Sequence, residues 1–318
     1  MRRRDQPVIC LMGPTASGKS AVALALAERL DVELVSVDSV MVYRGMDIGT
    51  AKPGAAERAR VPHHLIDVRD PLQTYSAAEF AADAHRCVEA ILDRGRIPLL
   101  VGGTMLYFAA FVEGLADLPP ASAEVRARLE EEMSSRGPDA LHAELARVDP
   151  DVARKVHPND PQRLQRALEV YRLTGVPMSA WWAETGGAGA RDCYRLIRFS
   201  LEPARDVVRA AVARRFGEML EAGLIDEVKN LLDRGDLAPD LPAMRAVGYR
   251  QVIEYLTGRA DFEEMQRRAV AATRQLAKRQ FTWLRRWRDV QRIDPGATDA
   301  AAAILKNLRA VSIVAGPG

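Results

Sequence analysis

A glycine-rich segment near the start of the chain has the composition and spacing of a phosphate-binding loop. It reads GPTASGKS from 13 to 20 and matches the pattern G-x-x-x-x-G-K-[ST]. Glycines let the backbone curl so that its N–H groups converge on an anion, and the lysine adds a positive charge. The hydroxyl of Ser20 is a candidate ligand for Mg²⁺. The candidate phosphate ligands are Gly13, Pro14, Thr15, Ala16, Ser17, Gly18, Lys19 and Ser20.

Two further polar residues follow apolar runs that resemble buried strands. Asp38 comes after VELVSV, where ligands collect at the edge of an α/β sheet. It is a candidate general base or a ligand of Mg²⁺ through water, and capping the next turn is its structural alternative. Thr104 follows two glycines in GGTMLYF, which permit close approach of the backbone or form an ordinary tight turn.

The elements that must position these residues alternate between strand and helix. Apolar runs at 8–12, 32–37 and 97–101 predict buried strands, and the segments between them predict helices. Short buried strands separated by helices indicate a parallel sheet covered on both faces. With the phosphate loop, this predicts an α/β fold with a P-loop NTPase-like parallel sheet flanked by helices.

The middle of the chain is helical. DPQRLQRALEVYRLTG has Asp160 as N-cap, Pro161 at the first helical position and Gly175 as the stop. GGAGAR, from 186 to 191, predicts a joint, and YRLIRFSL, from 194 to 201, a strand that returns to the sheet. We expect the residues from 203 to about 310 to be helical. The predicted domains are an α/β core at 1–117 and 194–318 and an all-helical insertion at 118–193.

Composition excludes several classes of protein. The chain has 318 residues, 48% of them hydrophobic, with no apolar run near the roughly 20 residues of a membrane span. We therefore expect no membrane association. Cys10, Cys87 and Cys193 are isolated, which predicts buried free thiols in the reducing cytoplasm rather than a zinc site or disulfides.

The last third of the chain is basic although the net charge is only +2. From Arg245 to Arg292 there are twelve Lys or Arg against five Asp or Glu. Aromatic residues lie among them, and such mixtures bind RNA by phosphate contacts and base stacking. The alternatives are a solvated helix face for the charges and core packing for Phe281, Leu284 and Trp287.

Seven blocks of sequence occur in the order found in the tRNA dimethylallyltransferase family, whose bacterial members this chain resembles from about 8 to 286. They are GPTASGKS, DSVMVYRGMDIGTAKP, PHHLIDVRDP, GGTMLYF, DPQRLQRALEVYRLTG, RAVGYRQ and ATRQLAKRQFTWLR. The resemblance implies transfer of a dimethylallyl group from dimethylallyl diphosphate to N6 of the adenosine 3′ of the anticodon, with release of diphosphate. ATP is then not the donor. The partner would be the anticodon stem-loop of tRNA and the cofactor Mg²⁺. Apart from the resemblance, we expect a monomer in the cytoplasm.

The resemblance also assigns roles to residues. Asp38 accepts the proton of the amine, and Thr104 lines the channel where adenine meets the donor. Arg215 contacts the leaving diphosphate, although spacing alone would place it on a solvated helix face. The implied tRNA contacts are Asp38, Ser39, Val40, Met41, Thr104, Arg126, Gln162, Arg163, Leu164, Gln165, Arg166, Arg245, Ala246, Val247, Gly248, Tyr249 and Arg250.

Three other functions share some of these features. A small-molecule kinase or ATPase has the same loop and sheet but turns over ATP. An isopentenyltransferase for free adenine nucleotides shares the chemistry, but the basic, aromatic last third and the QRLQR helix favour a macromolecular acceptor. An RNA-binding protein without catalysis would have no need of both Lys19 and Asp38.

Overall fold

Six parallel strands form one sheet in the computed structural model, which describes residues 3–116, 118–184 and 189–311. The order across the sheet is β3-β2-β4-β1-β5-β6. The strands are β1 (Pro7–Met12), β2 (Val32–Val37), β3 (His63–His64), β4 (Ile97–Gly102), β5 (Arg195–Leu201) and β6 (Gln291–Ile293). The predicted α/β class with a parallel sheet is confirmed.

The register of the central strands sets the level at which the site begins. Gly102, the last residue of β4, pairs with Met12 at the end of β1 and with Val37 at the end of β2. Parallel strands present their carboxyl ends at one edge of a sheet. The loops that follow these three strands, which carry the phosphate loop, Asp38 and Thr104, therefore start side by side.

Two short strands differ from the sequence-based expectation. β6 interrupts the segment from 203 to about 310, which we expected to be helical, so that prediction is wrong at 291–293. β6 has three residues, and only Ile293 is buried, so it lacks the apolar run that identifies a strand. β3 has two residues and pairs with β2 at Leu34 and Val35, too short for a detectable pattern.

Helices cover both faces of the sheet. Successive β1 side chains enter two apolar clusters, with Cys10 in the cluster that includes α3 and Ile9 in the cluster that includes α1 and α15. This alternation is expected for a strand buried on both sides. The helices of this unit are α1 (Lys19–Ala27), α2 (Ala55–Arg60), α3 (Ala77–Asp93), α4 (Met105–Glu113), α10 (Ala190–Cys193), α11 (Arg205–Glu221), α12 (Leu224–Leu232), α13 (Tyr249–Leu256), α14 (Phe262–Leu284) and α15 (Ala300–Ala310), with a 3₁₀ turn at Arg3–Asp5.

A second compact unit comprises Glu113–Gly189, whereas the first comprises Met1–Val112 and Ala190–Gly318. These bounds lie a few residues before the expected 118 and 193. The expected joint at 186–191 lies largely outside the described residues. The second unit has its own apolar core, built around residues such as Leu141 and Leu168. Its helices are α5 (Ala123–Arg136), α6 (Pro138–Val148), α7 (Pro150–Ala153), α8 (Pro161–Thr174) and α9 (Met178–Glu184).

The cysteines are free thiols, as expected. Cys10 is fully buried, whereas Cys87 and Cys193 are only partly so. Burial raises the pKa of Cys10 to about 12, so its thiol stays protonated. None of the helices in the described part of the chain is both long and apolar enough to cross a membrane.

Candidate active site

The phosphate loop lies between β1 and α1. Helix α1 begins at Lys19, so its first backbone N–H groups have no acceptor within the helix and remain available to an anion. Ala16 has φ of 60°, a conformation that costs energy and is often found at binding sites. The Nζ atom of Lys19 donates to the Pro14 carbonyl at 2.6 Å, which folds the lysine over the loop.

The ammonium group of Lys19 lies near a second positive charge. Burial and then the positive charge of Arg215 lower the pKa of Lys19 to about 7, while Asp38 opposes the shift. A buried cation with a cationic neighbour is stabilised by a bound anion. A bound anion would therefore stabilise these two side chains.

A single cavity of about 530 Å³ joins the residues that the sequence analysis singled out. Lys19 and Ser20 of the phosphate loop line it, together with Asp38, Thr104 and Arg215. These residues come from the start of α1, the loops after β2 and β4, and α11, and they are distant in sequence. The cavity is thus large enough for a small molecule and carries groups for phosphate binding and proton transfer.

The carboxylate of Asp38 performs two tasks. Its Oδ1 atom accepts hydrogen bonds from the backbone N–H groups of Val40 at 2.8 Å and Met41 at 3.1 Å. The capping alternative is therefore real. Among the described residues, Oδ2 has no hydrogen-bond partner, and Asp38 lines the cavity. One oxygen holds the turn, and the other is available to accept a proton.

Thr104 ties the loop after β4 to the loop after β2. Its Oγ1 atom accepts from the Ser39 N–H at 3.1 Å, and its own N–H donates to the Val37 carbonyl at 3.2 Å. Gly102 makes the approach of these loops possible, because a Cβ there would overlap the Val37 carbonyl. Here the glycine allows close backbone approach rather than serving only as a turn residue.

Arg215 lies on α11 and is half-buried in the cavity wall. Burial lowers the pKa of its guanidinium, and the negative charges of Asp38 and Glu218 only partly compensate. Neighbouring Arg214 is exposed and pairs with Glu218 at 3.4 Å. Within the described residues, Arg215 has neither an ion pair nor a hydrogen bond. A half-buried arginine in that state is a binding group for an anion.

The rest of the cavity is largely apolar, which sequence reasoning did not find. Aliphatic and aromatic side chains from α1, β2, the segment after β3, α4 and α14 line it, and a short prenyl chain would fit among them. They are Leu24, Leu34, Ile66, Leu106, Leu276 and Trp283.

Helix α14 supplies four residues to the wall. The sequence predicted RNA contacts for Arg279 and Trp283 but no role for Leu276 or Gln280. Leu276, Arg279, Gln280 and Trp283 recur at helical spacing, three and four residues apart. That periodicity was visible in the sequence, but it also fits an ordinary core-facing stripe. Phe281, Leu284 and Trp287 do pack as core or against it, as the alternative reading held.

The residues present fit a magnesium ion. Ser20 is exposed on the cavity wall and offers a hydroxyl oxygen beside the phosphate site. Mg²⁺ commonly binds through one or two protein oxygens, several waters and substrate phosphates. Among the described residues no cluster of three or more His, Cys, Asp or Glu exists to hold a metal. A magnesium ion here would therefore be coordinated by the Ser20 hydroxyl together with phosphate oxygens of a substrate.

The candidate tRNA contacts in the first unit fall into two groups. Ser39, Val40 and Met41 line the cavity beside Asp38. In the stretch 245–250, Arg245 and Arg250 are exposed, Ala246 and Val247 are half-buried, and Gly248 is buried. Tyr249 is fully buried, and its hydroxyl donates to Glu227 Oε1 at 2.6 Å, so this ring packs inside the protein.

The candidate tRNA contacts in the second unit lie on α5 and α8. Leu164 is fully buried in the core, whereas Gln162 and Arg163 are exposed. Arg126 and Arg166 both donate to Glu169, a carboxylate with no exposed surface, at 2.9 and 2.7 Å.

The charges of Arg126 and Arg166 are therefore partly used inside the unit. Gln165 is half-buried and donates to the Arg126 carbonyl at 3.3 Å. The exposed members of this helix face remain available to a partner.

The fold and cavity define a class of phosphate-loop protein in which the loop adjoins a carboxylate and an apolar wall. The IPP transferase family model matches residues 41–287. The chain belongs to the IPP transferase family.

Individual relatives span nearly the whole chain. A tRNA dimethylallyltransferase from Paraburkholderia phymatum is 55% identical over 98% of this chain and 99% of its own. The tRNA isopentenylpyrophosphate transferase structure from Bacillus halodurans is 39% identical, has a TM-score of 0.69 and covers 97% of this chain and 96% of its own. A eukaryotic dimethylallyltransferase acting on tRNA has 27% identity and a TM-score of 0.78, over 98% and 81% of the two chains.

Proposed function

We propose that this protein transfers a dimethylallyl group from dimethylallyl diphosphate to tRNA. The acceptor is the exocyclic N6 amine of the adenosine 3′ of the anticodon, and diphosphate is released. One observation supports this most strongly. The phosphate loop, an unpaired arginine, a carboxylate oxygen and an apolar wall all face the same cavity.

The leaving group is stabilised by positive charge on the cavity wall, which nearby carboxylates only partly offset. The N–H groups at the start of α1, Lys19 and Arg215 converge on the space beside the loop. When the C–O bond of the allylic diphosphate breaks, negative charge grows on the departing oxygen. Groups fixed in advance around that charge lower the barrier more than water does. The dimethylallyl tail lies against the apolar side chains of the wall.

The nucleophile loses a proton as the new C–N bond forms. The N6 lone pair attacks C1 of the donor, diphosphate leaves with the electrons of the C–O bond, and Asp38 Oδ2 accepts a proton from nitrogen. Its Oδ1 atom stays bound to the Val40 and Met41 N–H groups, which fixes the carboxylate in place. Positioned general bases contribute about 10² to 10⁴ in rate.

Magnesium is the cofactor in this proposal. Ser20 would hold the ion, with phosphate oxygens and water completing its shell, and Asp38 would contribute through water if at all. When bound, Mg²⁺ supplies charge neutralisation on the diphosphate.

The acceptor is a macromolecule rather than a free nucleotide. Lys278 and Arg279 on α14 are exposed and, within the described chain, have no ion-pair partner. Such cations bind phosphates, and unstacked anticodon-loop bases are the usual targets of sequence-specific RNA recognition. We further propose that the protein acts as a monomer in the cytoplasm, where tRNA is found and its three free thiols stay reduced.

A transfer assay tests the proposal. Radiolabelled dimethylallyl diphosphate and Mg²⁺ are offered with unmodified tRNA or with free AMP, and ATP hydrolysis is followed in parallel. We expect label in tRNA alone. Label in AMP would keep the chemistry but replace the acceptor. Rapid ATP hydrolysis without transfer would assign the loop to a nucleotide and overturn the proposal.

A further inference from the structure

A buried amide on α14 connects the two loops that carry the proposed chemistry. Gln280 is only 8% exposed. Its Oε1 atom accepts from the Thr15 N–H of the phosphate loop at 2.8 Å, and its Nε2 donates to the Gly103 carbonyl at 2.9 Å. The Thr15 N–H can only donate and the Gly103 carbonyl can only accept, so the amide has one possible orientation.

The atoms around this amide are closely packed. A Cβ on Gly103 would lie 2.5 Å from Gln280 Nε2 and 3.2 Å from the Gly13 carbonyl. The loops after β1 and β4 therefore contact each other and the amide at once. A change in the length or polarity of residue 280 must move at least one of them.

Hydrogen bonds and two peptide linkages, Gly103–Thr104 and Asp38–Ser39, connect this amide to the general base. Gly103 precedes Thr104, whose Oγ1 accepts from the Ser39 N–H at 3.1 Å. Ser39 follows Asp38, whose Oδ1 fixes the same turn. The amide thus lies between the loop that holds the leaving group and the carboxylate that accepts the proton.

We infer that Gln280 is a positioning residue that sets the separation between the phosphate loop and Asp38. This inference rests on the proposed transfer reaction. Gln280 acts through the backbone of both loops rather than by touching the reacting atoms. A displacement of about 1 Å between reacting groups can cost about 10² in rate, so loss of this link lowers kcat. Donor binding changes less, because Lys19 and Arg215 are retained.

Two substitutions separate this role from simple packing. Gln280→Met keeps the length of the side chain and removes both hydrogen bonds. Gln280→Glu keeps the acceptor for Thr15, but an ionised carboxylate repels the Gly103 carbonyl. Once protonated, the acid again offers one donor and one acceptor. Burial raises the pKa of a carboxyl group, so this variant is expected to regain the link as the pH falls.

The assay measures label transfer to tRNA between about pH 8 and 6, with kcat and donor KM determined for each variant. Charged and titratable groups on the cavity wall are present in every variant, so each rate is divided by that of wild type at the same pH. They are Lys19, Asp38, Glu57, His63, Arg215 and Arg279. Gln275→Met, on the exposed face of the same helix, is the matched control, and thermal melts verify folding.

We expect Gln280→Met to lower kcat about tenfold to a hundredfold while donor KM changes less than about threefold. The transfer rate of Gln280→Glu relative to wild type should rise at least about fivefold as the pH falls to 6. The relative rate of Gln280→Met should not change with pH, and Gln275→Met should match wild type. If Gln280→Met does not fold, the pH dependence of the Gln280→Glu rate relative to wild type tests the inference by itself. A Gln280→Met kcat within about twofold of wild type, or a flat Gln280→Glu ratio, would overturn the inference. Absence of transfer by wild type would instead refute the proposed function.

Discussion

Two arginines, one in each compact unit, show how the same side chain serves different ends. Arg172 on α8 binds Glu132 through two hydrogen bonds, at 2.7 and 2.8 Å, and Glu144 through a third at 2.8 Å. Arg215 on α11 faces the cavity, and no described residue forms a hydrogen bond or ion pair with it. Arg172 has a raised pKa because of its carboxylate partners, whereas burial lowers the pKa of Arg215.

The charge of Arg172 stabilises the fold, whereas the charge of Arg215 is available to bind a ligand. The carboxylates around Arg172 satisfy its donors, so the cluster joins α5, α6 and α8 and needs nothing else. The guanidinium of Arg215 is partly removed from water with only partial compensation from Asp38 and Glu218, which costs stability unless an anion binds. Unpaired charged side chains in the cavity therefore indicate the residues that act on a ligand, and paired charged side chains in the second unit indicate residues that stabilise the fold.

The largest expected effect comes from the unpaired oxygen of Asp38. Asp38→Asn keeps an Oδ1 acceptor for the Val40 and Met41 N–H groups but removes the base. We expect kcat for transfer to fall by at least about a hundredfold, with tRNA affinity nearly unchanged. Single-turnover transfer and tRNA filter binding measure the two quantities. Near-normal turnover by Asp38→Asn would show that Asp38 is not the base. Any loss of activity in Asp38→Ala would then come from the loss of the turn that Oδ1 stabilises.

Removal of the unpaired cation should have the next largest effect. Arg215→Gln takes away a charge that contacts the leaving diphosphate, and loss of one such preorganised donor costs about 10² to 10³ in kcat. Because Arg214 already pairs with Glu218, Arg214→Gln is the matched control on the same helix. Equal loss in both variants would mean that general positive charge on α11, rather than the position of Arg215, matters.

The paired arginine should affect stability instead. Arg172→Gln leaves Arg136, at 3.1 and 3.6 Å, as the remaining described ion-pair partner of Glu132 and Glu144. We expect the free energy of unfolding to fall by about 1 kcal/mol in urea titrations. The hydrogen bond from Arg172 holds the pKa of Glu132 below its ordinary 4.5. This stabilisation is therefore present above pH 4.5 and is lost as the pH falls towards the lower folded value. A wild-type advantage that grew with acidity would contradict the account.

The smallest effect is expected on the exposed part of α14. Replacing Lys278 and Arg279 with Gln should weaken tRNA binding and flatten the dependence of log affinity on log salt by about 0.7 per lost phosphate contact. Arg267 and Arg268 form the control pair, since both already bind Glu264. An unchanged slope in the first double variant would assign Lys278 and Arg279 to a solvated helix face.

Local pattern was enough to predict the parts of the fold that depend on it. The strand over 32–37 and the N-cap of α8 at Asp160 follow from apolar runs and capping residues, and the structure has both. β6 lacks such a run and is defined by its pairing with β5, so it could not be predicted. Pairing with a neighbouring strand is a property of the tertiary structure rather than of the segment.

The candidate site divides in the same way. The phosphate loop is contiguous and was found from its spacing. Gln280 was missed because its importance comes from two backbone atoms that are 265 and 177 residues away in sequence. Arg166 and Arg215 both lie on predicted helices, and only the positions of nearby carboxylates in the structure distinguish Arg166, which is paired, from Arg215.

The most direct test of the central claim compares the two arginines in a single experiment. The kcat for dimethylallyl transfer to tRNA, at saturating donor and tRNA, is measured for Arg215→Gln and Arg172→Gln together with urea unfolding of both. The account predicts a loss of about a hundredfold or more for Arg215→Gln without a loss of stability, and near-normal kcat with lower stability for Arg172→Gln. Wild-type turnover in Arg215→Gln, or equal loss of kcat in both, would contradict it.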